Sequence, residues 1–149
     1  MIRHRGFETI EKYKNQGLLL PERKTKGSAG YDLASRIDIV IEPKSHAFIP
    51  TGMKVYMQDD EVLQIYPRSS LGFKKQLIKL NSVGIIDSDY YNNPDNEGEI
   101  SVILYNLGDQ PIEIKKNERI AQGIFMKYLK VDEDQTMVKR LGGFGSTDK

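Results

Sequence analysis

Cysteine and tryptophan are absent from this chain, and histidine occurs only at His4 and His46. Without thiols there is no disulfide, no thiolate nucleophile and no cysteine-ligated zinc. Two histidines leave no basis for a histidine-rich metal centre and make a Ser-His-Asp triad a poor reading. Neither sign of charge dominates: 22 Lys and Arg stand against 21 Asp and Glu, interspersed, for a net +1. That balance argues against a general nucleic-acid or membrane-surface binder, although it permits a local basic cluster around one phosphorylated ligand. Apolar runs long enough to span a bilayer are missing, as is a signal-peptide core near Met1, so the chain reads as cytoplasmic. Its 149 residues suit one domain with a sizeable core.

What the chain does contain is short β-like runs. Ile37–Glu42, Met53–Met57, Glu61–Tyr66, Val83–Ile86, Glu99–Tyr105 and Ile120–Tyr128 are apolar or partly alternating. Prolines and turn pairs such as Gly108-Asp109 and Asn117-Glu118 separate them. Many short strands at this spacing predict an all-β antiparallel sandwich or jelly roll. Phe7–Gln16 is read as strand. Ser69–Lys75 is the one short helix, with a Ser as its N-cap.

Five segments carry candidate chemistry. Ser28-Ala-Gly-Tyr-Asp-Leu-Ala34 offers Asp32, which suits outer-sphere magnesium binding when phosphates are present. Pro67-Arg-Ser-Ser-Leu-Gly72 follows a strand and starts the helix. Arg68, Ser69 and Ser70 there combine a permanently charged fork, two hydroxyls and a helix N-terminus, all suited to phosphate. Asn81-Ser-Val-Gly-Ile-Ile-Asp-Ser-Asp-Tyr90 places Asp87 at the edge of an apolar strand, where a carboxylate becomes more basic and can orient a water. The alternative there is an Asx turn closing a hairpin. Gln122 lies between Ala121 and Gly123, where a ligand can approach closely.

The fifth segment ends the chain: Arg140-Leu-Gly-Gly-Phe-Gly-Ser-Thr-Asp-Lys149. Its glycines contribute nothing to a core. Phe144 suits the face of a base, and backbone N–H groups with Ser146 and Thr147 suit phosphate. We read it as a mobile lid over a nucleotide, with residues 1–134 as the β-domain and 135–149 as arm and lid. A Walker-type loop and a dinucleotide fingerprint are both missing.

Taken in order, Ala-Gly-Tyr-Asp-Leu (29–33), Pro-Arg-Ser-Ser-Leu-Gly (67–72), Gly-Ile-Ile-Asp-Ser-Asp-Tyr (84–90), Arg-Ile-Ala-Gln (119–122) and Gly-Gly-Phe-Gly-Ser-Thr (142–147) resemble the five motifs of the trimeric dUTP pyrophosphatases. The resemblance implies a distorted jelly-roll homotrimer whose three active sites are shared between subunits, the tail of one closing a site built by the others. It implies hydrolysis of dUTP to dUMP and pyrophosphate with Mg²⁺, which keeps uracil out of DNA and supplies dUMP for thymidylate synthesis. By position, Asp87 matches the base that activates water, and Tyr90 the ring packed on deoxyribose. Asn81 with the Ile85-Ile86 backbone matches the uracil-reading hairpin. Arg68, Ser69, Ser70 and Gln122 match phosphate ligands. Asp32 matches the acid on magnesium's waters, and Phe144, Ser146 and Thr147 match the lid contacts to uracil and terminal phosphates.

Two departures stand out. A long polar loop, Tyr91–Glu97, follows the third motif, leaving Tyr91 as a rival to Tyr90 and offering a surface for a regulatory protein partner. The lid arginine is close to Phe144, so Arg140 or Lys139 is the γ-phosphate contact. The alternatives are a deoxycytidine triphosphate deaminase of the same fold and a purely regulatory binding protein. The Ile-Asp-Ser-Asp-Tyr string resembles the pyrophosphatase version.

Overall fold

A computed structural model describes residues 1–148; Lys149, the last residue of the expected lid, lies outside them. The described residues form an all-β antiparallel architecture, as the spacing of apolar runs predicts. Its strands are β1 (Gly6–Thr9), β2 (Tyr31–Ala34), β3 (Ile39–Ile41), β4 (His46–Pro50), β5 (Met53–Tyr56), β6 (Glu61–Pro67), β7 (Leu77–Lys79), β8 (Gly84–Asp87), β9 (Ser101–Asn106), β10 (Ile112–Ile114) and β11 (Arg119–Lys127), with one helix, α1 (Ser69–Lys75). Four strands make the sheet β2-β11-β6-β8 and three make β4-β9-β7. The ribbons β1-β5 and β10-β3 complete the fold.

Each sheet contributes to one core. Leu33, Ile49, Leu63, Val102, Leu104 and Ile120 have no exposed surface. Removing each such side chain from water is worth about 1.5–3 kcal/mol. Alternation selects them: Leu63 and Ile65 of β6 point inward while Gln64 and Tyr66 are partly exposed. Asn106, also fully buried, ties the end of β9 to β3 and to the turn that follows. Its amide donates to the carbonyls of Ile41 (3.0 Å) and Gln110 (2.7 Å) and accepts from the Gly108 N–H (2.9 Å).

Three local readings need correction. Phe7–Gln16 is strand only over Gly6–Thr9; a 3₁₀ turn occupies Glu11–Tyr13. The N-cap of α1 is Arg68, whose side chain makes no capping bond, and Ser69 is already helical. Strands β2, β4, β7 and β10 were not anticipated, because runs of 3 to 5 residues carry too little periodicity to register.

The outer end of β6 is held by a buried carboxylate. Glu61 is 3% exposed. It accepts from the Arg5 Nε (3.0 and 3.1 Å), and from the Gln58 N–H (3.1 Å). The Arg5 guanidinium holds the Glu61 carboxyl below its ordinary value, against the opposing effect of burial. A depressed carboxyl contributes stability above its unfolded-state pKa, and that contribution is lost as pH falls through the folded value. Arg5→Ala is therefore expected to lower the urea midpoint at neutral pH. The gap to the parent chain should begin to shrink below about pH 4, where the unfolded carboxyl binds its proton, and close as pH falls further through the lower folded value. A gap that persists unchanged into acid would show that the arginine acts through packing alone.

Candidate functional site

Strand β6 carries a cluster at each end. Its antiparallel register with β8 sets Val62 opposite Asp87 and Ile65 opposite Gly84. Its register with β11 sets Pro67 opposite Ala121 and Tyr66 opposite Gln122. Asp87 therefore lies beside the start of β6, and Arg68 follows its end. The distance from Val62 to Arg68 along an extended strand is about 20 Å.

The first cluster is a pocket in the seam between the two larger sheets. Strand β7 pairs with β9 while β8 pairs with β6, so the turn at residues 80–83 crosses from one sheet to the other. It is not the ladder-paired hairpin expected. The pocket is lined by Lys79, Asn81, Ile85, Ile86, Asp87 and Tyr90, with Ile65 and Ser101 behind them. A 3₁₀ turn over Ser88–Tyr90 follows β8 and directs Tyr90 inward to 7% exposure. The Tyr90 hydroxyl donates to the Glu99 carbonyl (2.8 Å) and accepts from the Asn96 amide (2.9 Å). Burial raises its pKa above the ordinary tyrosine value. Tyr91 turns the other way, donating to Glu8 (2.9 Å) and standing edge-on to Tyr56. Of the two rivals, only Tyr90 lines the pocket.

Asp87 makes no Asx turn. Its side chain is 51% exposed, so the desolvation expected of it is absent in the single chain. Its partner is Arg140, which bonds Asp87 at 2.6 Å and Asp89 at 2.8 Å while its own side chain is only 9% exposed. Lys139 is exposed. Arg140 also donates to Ser146 (3.2 Å) and lies 5.7 Å from the centre of the Tyr90 ring.

The tail thus covers the pocket of its own chain, with Phe144 and Thr147 at the rim. The sequence reading has it closing a neighbour's site. Phe144 is 65% exposed and meets the edge of Phe48 at 6.0 Å between centroids. The Gly143 N–H donates to Asp95 (3.3 Å), and a Cβ on Gly143 would stand 2.9 Å from both Asp95 and Asn96. The long polar loop is therefore part of the landing surface for the tail. That loop is pinned by Asn93, which is 5% exposed. Its amide donates to the Tyr90 carbonyl and to Asn96 (2.8 Å each), and its oxygen accepts from the N–H groups of Asp95 (3.0 Å) and Asn96 (3.1 Å).

The second cluster joins β2, α1 and β11. Asp32 lies 3.4 Å from Arg68 and 3.9 Å from Arg119. Gln122 donates to the Pro67 carbonyl (3.1 Å), and its oxygen would lie 2.3 Å from a Cβ on Gly30. Ser69 is exposed and Ser70 half-buried at the start of α1. Two guanidiniums, an amide and two hydroxyls on one surface suit a polyanion. Among the described residues no group of three His, Cys, Asp or Glu is placed to hold a metal ion. A lone carboxylate between two arginines fits a cation that arrives on phosphates with its waters, and does not fit a resident metal.

The structure thus divides the candidate residues. Asn81, Ile85, Ile86, Asp87, Tyr90, Arg140, Phe144, Ser146 and Thr147 gather at the pocket and tail. Asp32, Arg68, Ser69, Ser70 and Gln122 gather beyond the far end of β6. Sequence reasoning missed Lys79, Phe48, Arg119 and Asn93. Only Lys79 had a clear signal, a charge inside the apolar run Leu77-Ile-Lys-Leu80.

Comparison with known proteins gives a consistent picture. The family model dUTPase matches residues 18–148. Deoxyuridine 5'-triphosphate nucleotidohydrolase of Lactococcus lactis subsp. lactis is 50% identical over 145 residues, covering 96% of this chain and 97% of its own length. The protein of the same name from Nautilia profundicola is 41% identical over 140 residues, covering 91% and 94%. The crystal structure of dUTPase from Streptococcus mutans superposes with a TM-score of 0.82 at 46% identity, covering 85% of this chain and 98% of its own.

Asn93 is the keystone of the loop beneath the pocket, and its truncation leaves buried backbone groups unpaired. Asn93→Ala is expected to lower unfolding free energy by about 2 kcal/mol. It should also make residues 91–98 exchange amide hydrogen faster than the rest of the fold. Unchanged exchange in that loop would show that Tyr90 and Asn96 hold it without Asn93.

Proposed function

The chain belongs to the dUTPase family, and from that premise we infer that it hydrolyses dUTP to dUMP and pyrophosphate through a site completed by a second copy of itself. The observation that carries the shared site is the separation along β6. Asp87 and Arg68 stand about 20 Å apart on one chain, too far to act on one phosphorus atom. A copy that brings its Arg68 and Gln122 face against a neighbour's Asp87 pocket removes the difficulty, and a closed ring of three copies uses every half-site. The arm supports the same reading. Leu129, Val131, Met137 and Val138 are 79–96% exposed, outside the core formed by the described residues. Residues 128–139 reach about 40 Å when extended, enough to carry the lid to another copy.

Within that assembly the roles follow from chemistry. The pyrimidine enters the seam pocket, with Asn81 and the backbone of Ile85 and Ile86 along its edge. Tyr90 presents a ring held at its hydroxyl by Asn96 and the Glu99 carbonyl, a rigid wall under deoxyribose that leaves no room for a 2′-hydroxyl. Arg68, Ser69, Ser70 and Gln122 bind the phosphate chain and hold the α-phosphorus in line with a water. Asp87 orients that water and accepts its proton, and pyrophosphate departs. Positioning and charge stabilisation supply most of the acceleration, and one placed base adds about 10²–10⁴-fold. Asp32 would bind the waters of a Mg²⁺ ion carried on the triphosphate, and the ion would neutralise part of the triphosphate's charge. Phe144 stacks on the base while Ser146, Thr147 and Arg140 engage the terminal phosphates, which excludes bulk water. No helix among the described residues is long and apolar enough to cross a membrane, and we place the enzyme in the cytoplasm. The Tyr91–Glu97 loop remains open to a regulatory partner at Asn92, Pro94 and Asp95, its exposed residues.

Asp87→Asn is expected to keep binding of a non-hydrolysable dUTP analogue and to lose turnover by at least about 10²-fold; near-normal turnover would remove Asp87 from the mechanism. Mixing that variant with a chain truncated after Leu141 distinguishes exchange of the tail from closure on its own pocket. Recovered activity in mixed assemblies requires a lid donated by one copy to another's base. No recovery in assemblies shown to be mixed would leave the tail on its own chain.

A further inference from the structure

Lys79 occupies a position where the sheet calls for an apolar side chain. Residue 77 of the same strand is in the core, and Lys79 itself is 7% exposed. No carboxylate among the described residues pairs with it; burial alone pushes its ammonium down to about 8. A desolvated cation without an anion destabilises the fold, so its presence calls for a functional return. Its Nζ lines the seam pocket, within 2.9 Å of where a Cβ on Gly84 would stand. Its one side-chain partner among the described residues is the oxygen of Asn81, to which it donates.

That bond has a directional consequence. An ammonium only donates, whereas an amide presents an acceptor at one end and two donors at the other. Holding the Asn81 oxygen leaves the N–H end free to meet the ligand. Uracil carries a carbonyl at ring position 4, where cytosine carries an amino group. We propose that Lys79 is a specificity-determining positioning residue, which locks the Asn81 amide with its donors toward the base so that the pocket accepts a pyrimidine carbonyl and refuses an exocyclic amine. The inference rests on the reading of Asn81 as a contact to the base. Lys79 itself need not touch the nucleotide.

The same geometry makes the discrimination depend on pH. Above about pH 8 Lys79 loses its proton, and a neutral amine has a lone pair that can accept as well as donate. The lock on Asn81 then loosens. The other titratable or charged groups facing this pocket are Asp87 on β8, Tyr90 in the 3₁₀ turn and Arg140 in the tail; the walls from β6 and β9, Ile65 and Ser101, are neutral. Asp87, Tyr90 and Arg140 are all retained in the variants of Lys79.

The test measures affinity for non-hydrolysable dUTP and dCTP analogues by calorimetry in the full-length protein and in Lys79→Met, Lys79→Gln, Asn81→Ala and the Lys79→Met/Asn81→Ala double variant. Loss of one fixed hydrogen bond predicts about three- to tenfold weaker dUTP binding in Lys79→Met, with KM raised and kcat nearly unchanged. The preference for dUTP over dCTP should narrow, and the melting temperature should not fall. Lys79→Gln, a neutral donor, should recover part of the preference and lose its decline above pH 8. The double variant should match Asn81→Ala alone, because two residues acting through one contact are not additive. Additive losses, or a Lys79→Met chain with full preference, would overturn the role given to Lys79 while leaving Asn81 in place. An Asn81→Ala chain that binds dUTP normally would instead remove the base contact, and the proposal with it.

Discussion

Everything in this molecule depends on the double pairing of β6. Because β8 runs antiparallel to it on one edge, the acid that ends β8 returns to the beginning of β6. Because α1 follows directly after Pro67, the arginine of the second cluster stands at the opposite end. No side-chain flexibility bridges that gap. An arginine reaches about 7 Å from its Cα, by the chain lengths of its covalent bonds, and the separation is nearly three times that. Assembly is therefore a geometric requirement of the chemistry we assign.

The pocket end shows how a surface loop can be built as a rigid part. Asn93 folds the loop back on Tyr90, Asn96 reaches the Tyr90 hydroxyl, and Lys54 ties Asn92 (2.6 Å) and Glu97 (3.2 Å) to β5. Asp95 then offers its carboxylate to the backbone of Gly143. A longer loop usually means a more mobile one. Here each added polar side chain supplies a bond that the backbone of the loop needs, so length and order coexist.

How much of this was legible in the sequence varied with the physics of each element. Long apolar runs such as β6 and β11 were visible because their inward residues recur at period two. Three-residue strands such as β3 and β10 were partly visible or invisible, since their pairing is set by partners far away in the chain. The five motif segments name residues that the fold gathers at two places, and the spacing to Asp87 favours Tyr90, the tyrosine that lines the pocket. Their division into two separated groups was not readable, because it depends on strand register, which no local pattern encodes. The environment of Asp87 also escaped. An acid after two isoleucines looks desolvated on paper, yet the 3₁₀ turn that follows β8 lets its side chain face outward toward Arg140.

The contact between Arg140 and the two acids of the third motif has a consequence for solution conditions. The unliganded tail is held to the pocket partly by charge, at carboxylates that are half exposed, and partly by the aromatic edge between Phe144 and Phe48. Mobile ions weaken the approach of Arg140 to the two acids from beyond a Debye length of about 8 Å at physiological ionic strength, and act little on the close contacts once made or on the aromatic edge. Salt concentration therefore acts as a selective lever on closure. In dilute buffer the tail rests on Asp87, and if that residue is the base we propose, substrate has to displace it. As salt rises the resting tail lifts more readily, while the attraction of the arginine face for the triphosphate also declines. On the roles proposed for these residues, the two effects of salt oppose each other.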